Sequence, residues 1–132
     1  MNNKTLVYFS KEIAINLMKV DEAIFLHNIC YWVEINKKNN NNYYNGEYWT
    51  YNSDRAFSEL FQFFSPAQIK RMRKNLINAG YIKTGCFNRF NPDKTTWYTY
   101  TEKVTYIAED GYINGILRRE DPIYNSIDDD YL

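Results

Sequence analysis

The sequence predicts an α+β fold, with helices before residue 80 and strands near residues 48–51 and 81–101. Apolar residues recur at helical spacing over four segments, and each segment follows a Ser or Asp that can cap a helix. Aromatic and β-branched residues dominate the runs after Gly80. The chain is 45% hydrophobic and 18% aromatic, which is typical of a globular protein rather than a disordered one.

Two helices are predicted near the amino terminus. Ser10 can cap a short helix over residues 11–18, and Asp21 can cap a long helix over residues 22–36. A polar, Asn-rich loop is expected to follow over residues 37–42.

The long helix is unusually apolar. Its apolar side chains cover more than half of its circumference, and only His27 and Glu34 mark a solvent-facing side. Such a helix needs a second burial surface. This predicts either a homodimer through the helix or, alternatively, its burial by residues 104–107 of the same chain.

A turn, a strand and a third helix come next. Asn45 and Gly46 form a strong tight-turn signal, and the aromatic run at residues 48–51 is typical of a short strand. Ser53 can then cap a helix over residues 54–61.

The fourth helix has the clearest start signals. Ser65 is a cap residue, Pro66 suits the first helical position, and Gln68 completes a capping box. Gly80 is suited to the left-handed conformation that ends a helix.

Two β-rich runs, residues 81–87 and 95–101, follow with a turn-rich basic segment between them, which predicts a hairpin. The order helix, helix, strand, helix, helix, hairpin is that of a winged helix-turn-helix, with a small antiparallel sheet and a β-hairpin wing. We therefore predict one domain over residues 1–107. Residues 108–132 are expected to form an acidic, weakly structured extension.

The net charge of zero hides an asymmetry. Residues 1–107 carry 14 Lys and Arg against 9 Asp and Glu, whereas residues 108–132 carry 2 against 7. Seven basic residues and one acid lie within residues 66–95. Clustered basic charge predicts a nucleic-acid contact, and the acidic extension is expected to shield it.

Projected on a helical wheel, the fourth helix has an apolar face and an opposite polar face. Arg71, Gln68 and Asn75 are predicted to read base edges, because guanidinium and amide groups match guanine and adenine. Lysines position the protein on phosphates instead. The alternative is a solvated basic helix face. The predicted DNA-binding residues are Ser65, Gln68, Lys70, Arg71, Lys74, Asn75, Asn78, Arg89 and Lys94.

Arg73 is not among these residues, because it projects towards the edge of the core. There we expect it to pair with another side chain or to extend along the surface.

Several segments carry a family resemblance. They are residues 21–24 (DEAI), 31–37 (YWVEINK), 46–53 (GEYWTYNS), 65–71 (SPAQIKR) and 94–98 (KTTWY). Together they resemble a winged-helix family found in replication-initiation proteins of phages and plasmids from low-GC Gram-positive bacteria. The resemblance spans roughly residues 8–101.

The resemblance implies a winged-helix fold that binds a specific duplex site on a mobile element, with Gln68, Arg71 and Asn75 on the DNA-facing side of the recognition helix. Initiators of this kind usually carry a further domain that recruits a helicase or its loader. Because the sequence ends shortly after the wing, an accessory protein that marks a conjugative transfer origin or regulates transcription is a second expectation.

We therefore expect a cytoplasmic protein that binds duplex DNA at a replication origin, transfer origin or operator. One alternative is a winged-helix module that recruits replication or transfer proteins. Another is single-strand or RNA binding through aromatic side chains, although these more often pack a sheet onto helices.

No catalytic activity, metal or cofactor is predicted. His27 is the sole histidine, and no His, Cys or Asp cluster has metal-ligand spacing. Cys30 and Cys86 are expected to be buried, reduced thiols. No apolar run is long enough for a membrane span or a signal peptide.

Overall fold

The computed structural model describes residues 6–88, 95–108 and 111–117, which form six helices and two small antiparallel sheets. This confirms the predicted α+β class. The four predicted helices and the single small sheet are too few, because a separate two-stranded sheet forms within residues 43–48 and two short helices follow residue 101. The elements are α1 (Lys11–Leu17), α2 (Val20–Lys38), β1 (Tyr43–Tyr44), β2 (Glu47–Tyr48), β3 (Thr50–Asn52), α3 (Asp54–Phe61), α4 (Pro66–Asn78), β4 (Ile82–Gly85), β5 (Thr96–Tyr100), α5 (Glu102–Ile107) and α6 (Tyr112–Gly115).

Local caps set the starts of α3 and α4 where the sequence predicts them. Ser53 Oγ accepts a hydrogen bond from the backbone N–H of Ala56 at 3.1 Å. Ser65 and Gln68 form a complete capping box, in which each side chain accepts from the other residue's backbone N–H. Gly80 follows the end of α4 with a φ of +85°, a conformation that favours glycine.

The predicted cap of α2 is wrong. The helix begins at Val20, after Lys19, so Asp21 lies within the first turn rather than before it. There its carboxylate still accepts from the backbone N–H of Glu22 at 2.8 Å, and negative charge at a helix start is favourable. At the other end α2 runs through Lys37 and Lys38, which were predicted to be loop, because cations suit a helix carboxyl end.

The predicted strand at residues 48–51 is divided between two sheets. β1 and β2 pair around Asn45 and Gly46, whose φ values of +53° and +80° are those of a tight hairpin turn. β3 belongs to a three-stranded antiparallel sheet of order β3-β5-β4. Trp49, between β2 and β3, is buried, and its indole N–H donates to the carbonyl of Tyr44.

Most of the apolar surface of α2 is buried within the chain, whereas Val20 and Trp32 are exposed. The helix packs against α1, α4 and β5, and its apolar side chains share one core with Val104 of α5 and Ile113 of α6. The alternative of burial by the same chain therefore accounts for most of the apolar character of α2 and weakens the packing argument for a homodimer. The homodimer itself stays a prediction. The buried apolar residues of α2 are Ala23, Phe25, Leu26, Ile29, Cys30, Val33 and Ile35.

The core continues beyond residue 107. Ala108, Ile113 and Ile116 are buried in it. The division into residues 1–107 and 108–132 stays a prediction, and residues 118–132, most of the acidic extension, lie outside the described part of the chain.

His27 and Glu34 were predicted to form the solvent-facing side of α2, but both are partly buried. Glu34 accepts a hydrogen bond from the hydroxyl of Tyr100 at 2.6 Å. His27 Nδ1 lies 2.5 Å from the hydroxyl of Tyr112 in α6, and the ring of Tyr8 lies 6.1 Å away. Burial of the imidazole lowers the pKa of His27 from 6.5 to about 4.

Because of this lowered pKa, the folded protein should lose stability on acidification. The unfolded chain protonates His27 near pH 6.5 while the folded protein keeps it neutral, so protons favour unfolding between those two pKa values. The free energy of unfolding should fall by about 2 kcal/mol more in the wild type than in His27→Gln between pH 7 and pH 5. Urea unfolding of both proteins at the two pH values measures this difference.

The comparison isolates the imidazole because His27 is the sole histidine, so the His27→Gln protein has no histidine left to protonate between pH 7 and pH 5. If the difference in the free energy of unfolding between the two proteins stays constant with pH, that result would contradict a buried, neutral imidazole.

Candidate nucleic-acid interface

The turn between α3 and α4 is fixed by short-range contacts. Gln62 ends α3 with a φ of +68°. Ser58 Oγ then donates to the carbonyl of Phe64 at 2.7 Å, and the buried ring of Phe64 packs on Phe61. These contacts set the direction in which α4 leaves the turn.

α4 has the two faces that the helical projection predicts. Ile69, Met72 and Leu76 are fully buried against the core. Lys70 and Lys74 are exposed on the opposite side. The outward face also includes Arg71 and Asn78, and the helix contains no acidic residue.

The predicted DNA-binding residues of α4 differ in how far their side chains are already engaged. Lys70, Lys74 and Asn78 make no side-chain hydrogen bond or ion pair with any described residue. Ser65 and Gln68 are engaged in the capping box, so the Gln68 carbonyl oxygen is occupied by the Ser65 N–H. The structure therefore separates two unpaired lysines and the unengaged Asn78 from residues with a structural role.

Arg71 and Asn75 both contact the start of α2. Arg71 Nη2 lies 3.2 Å from Asp21 Oδ2, and the Arg71 side chain remains 50% exposed. Asn75 Nδ2 donates to Glu22 Oε2 at 2.8 Å. Glu22 is only 2% exposed, and Lys19 Nζ lies 3.9 Å from the same oxygen.

Sequence reasoning missed Asp21 and Glu22 as members of this site. A helical projection shows which way a side chain points but not which neighbouring element lies there. The available signal was the pair of adjacent acids at the start of α2, of which Asp21 was interpreted as a helix cap and Glu22 as the first residue of the helix.

Arg73 pairs inside the protein, which confirms the prediction made from its position at the core edge. Its guanidinium forms an ion pair with Asp54 at the start of α3 and donates to the hydroxyl of Tyr98 in β5 at 3.0 Å. The Arg73 and Asp54 side chains are 17% and 25% exposed. This contact joins α3, α4 and the sheet.

Breaking this pair should destabilise the protein. Asp54→Asn leaves the Arg73 guanidinium partly buried without a counter-charge, and we expect it to lower the free energy of unfolding by about 2 kcal/mol. The matched control is Glu59→Gln, which breaks the exposed pair between Arg55 and Glu59 on the same helix. The control should cost less than about 0.5 kcal/mol. Equal losses in chemical denaturation would show that the buried pair has no special role.

The predicted second contact, Arg89 and Lys94 at the hairpin tip, lies outside the described residues. The base of the hairpin is described. Trp97 Nε1 donates to Asn88 Oδ1 at 2.6 Å, and the Phe87 ring stacks on Tyr44 with centroids 4.7 Å apart.

The aromatic residues considered for single-strand stacking differ in exposure, and two of them, Tyr48 and Tyr100, are partly buried. Trp49, Trp97 and Tyr98 are buried, as expected for residues that pack a sheet onto helices. A third group remains exposed: Tyr43, Tyr44 and Tyr51.

Comparison of the chain with protein-family models, with curated proteins and with solved structures finds no match in any of the three. Within the described ranges, no three His, Cys, Asp or Glu side chains are grouped so that they could hold a metal ion. None of the helices in that part of the chain is long and apolar enough to cross a membrane.

Both cysteines are free. Cys30 is buried as predicted, and burial raises the pKa of its thiol. Cys86 is exposed, so the prediction of two buried thiols is wrong for this residue.

Proposed function

We propose that the protein is a winged-helix protein that binds a specific duplex DNA site through α4. The site would be a replication origin, a transfer origin or an operator of a plasmid or phage. The element order and the β3-β5-β4 sheet support the winged-helix assignment, because α3 and α4 then form the helix-turn-helix and β4 and β5 the wing. The mobile-element assignment is supported only by the resemblance over roughly residues 8–101 given above.

One observation carries the proposal. The second helix of the helix-turn-helix exposes Lys70 and Lys74 without a carboxylate partner among the described residues, on a face that also includes Arg71 and Asn78. Positive charge with no internal counter-charge attracts phosphates and releases counterions when it meets them. An ordinary solvated helix surface more often mixes both signs of charge.

In this proposal the residues divide into two functions. Lys70 and Lys74 bind phosphates and position α4 in the major groove, whereas Arg71 and Asn75 read base edges. Gln68 reads a base through its amide nitrogen while its oxygen caps α4. Ser65 helps to fix the helix start at which phosphates can approach.

Selection of bound sequences from a random duplex pool tests the proposal. A recovered motif would define the site, and the absence of any enriched motif would contradict sequence-specific binding.

Arg71→Ala should then relax the preference at one base pair of that motif. The expected cost on the preferred site is about 1–3 kcal/mol, because a guanidinium that donates to guanine makes hydrogen bonds that alanine cannot replace. Binding titrations against the motif and its single-base variants measure the change. An Arg71→Ala protein that keeps the full preference would exclude this residue as a reader.

A second candidate function is favoured by a separate observation. Several apolar side chains between residues 6 and 20 are exposed, which suits a protein-protein contact. In that case the domain would recruit replication or transfer proteins. Titration of mixed duplex DNA at two salt concentrations discriminates between the two functions, since only phosphate binding predicts steep salt dependence. The exposed residues are Leu6, Val7, Phe9, Ile15, Met18 and Val20.

A further inference from the structure

Two adjacent carboxylates at the start of α2 each contact a different predicted base reader on α4. Asp21 contacts Arg71, and Glu22 contacts Asn75. Arg71 and Asn75 are four residues apart, so they are neighbours along one side of α4. The start of α2 thus binds two successive turns of the helix that faces DNA in the proposed function.

We propose that Asp21 and Glu22 are positioning residues that determine sequence specificity by holding Arg71 and Asn75 in the conformations that meet the base edges. This inference rests on the proposed function and assigns a role that the helical projection alone does not provide. Neither carboxylate needs to touch DNA. Each acts through the side chain that it holds.

The Asp21 carboxylate is itself held in place. Its Oδ1 accepts from the Glu22 backbone N–H at 2.8 Å, which leaves Oδ2 for Arg71 at 3.2 Å. A guanidinium has five N–H donors in a planar fork, so it can meet a carboxylate with one nitrogen and guanine with the others. Holding the fork at one nitrogen reduces the rotamer freedom that Arg71 loses on binding a base.

Glu22 settles the orientation of the Asn75 carboxamide. Glu22 accepts from Asn75 Nδ2 at 2.8 Å, and an ionised carboxylate can only accept hydrogen bonds. The nitrogen of Asn75 is therefore the end towards Glu22. The carbonyl oxygen and the second N–H remain for adenine, which offers one donor and one acceptor in the major groove.

The same carboxylates place negative charge beside the DNA-facing side. Their removal should therefore have two opposite effects. Attraction to any duplex should increase because a negative charge is lost, whereas discrimination between sequences should decrease because a reader is no longer held. An acid that merely competed with DNA for Arg71 would produce only the first effect.

Competition binding with Asp21→Asn and Glu22→Gln separates these effects. The probes are the selected duplex, its single-base variants and a random duplex, all at one salt concentration. We expect Asp21→Asn to lower discrimination about tenfold at the base pair where Arg71→Ala relaxes the preference. Glu22→Gln should do the same at a different base pair, the one that depends on Asn75.

The matched control is Glu59→Gln, which removes one carboxylate from the exposed side of α3 and leaves the α2–α4 contact intact. It should raise affinity for all duplexes alike and leave discrimination unchanged. Thermal unfolding shows whether the variants are folded. If the buried Glu22→Gln substitution prevents folding, Asp21→Asn decides the question, because Asp21 is partly exposed.

Full discrimination by both variants, with an increase in affinity equal to that of Glu59→Gln, would overturn the positioning role while leaving the proposed function in place. Absence of duplex binding by the unaltered protein would instead overturn both.

Discussion

Lys70→Ala combined with Lys74→Ala is expected to weaken binding to every duplex sequence by the same factor. Each lysine that neutralises a phosphate releases counterions, so its loss should reduce the slope of log affinity against log salt by about one. Together the two changes should reduce the slope by about two and the affinity on the order of 50-fold near 0.1 M salt. Filter binding or fluorescence anisotropy at four or five salt concentrations measures both quantities.

The control for this double variant is Lys37→Ala with Lys38→Ala. Both pairs are exposed and carry the same charge, but Lys37 and Lys38 lie at the far end of α2. At the usual helical rise they are about 24 Å from Asp21, which contacts α4. A salt slope that falls equally in both double variants would indicate general electrostatic attraction rather than contact through α4.

Phe25→Ala should produce the largest loss of stability. The Phe25 ring is fully buried at the centre of the core, with edge contacts to Phe57 at 5.0 Å, Tyr98 at 5.9 Å and Phe61 at 6.5 Å between centroids. Truncation removes apolar burial and leaves a cavity that surrounding elements cannot fill completely. The expected decrease in the free energy of unfolding is about 3–5 kcal/mol.

Phe63→Ala provides the comparison, because Phe63 lies in the α3–α4 turn with 55% of its surface exposed. It should cost less than about 1 kcal/mol. Equilibrium denaturation of both variants gives the two values. Similar losses would mean that Phe25 is not at the centre of a close-packed core.

Local signals predicted the parts of the fold that local interactions determine. Ser53 caps α3, and Ser65 with Gln68 caps α4, through contacts within four residues. Asn45 and Gly46 form their turn because both adopt positive φ, which few other residues do readily. The buried side of α4 was predictable for the same reason, since helical geometry alone fixes it.

Contacts between distant segments were not predictable in this way. Asp21 was assigned as a cap because the signal for a helix start at Val20 is weak, and Lys19 provides no side-chain cap. His27 and Glu34 were placed in solvent because they are polar. Tyr112 and Tyr100, which lie 85 and 66 residues away, provide their polar partners instead. Pairing of this kind depends on the tertiary fold, which periodicity does not reveal.

The docking of α6 has a practical consequence for the choice of fragments. A recombinant fragment that ended at residue 107 would lack Ile113 and Ile116, both buried in the core. It would also lack Tyr112, so the imidazole of His27 in α2 would become more exposed. The newly exposed apolar patch would favour self-association, which a measurement of mass would not distinguish from a native dimer. Fragments for crystallisation or DNA-binding assays should therefore extend at least to Leu117.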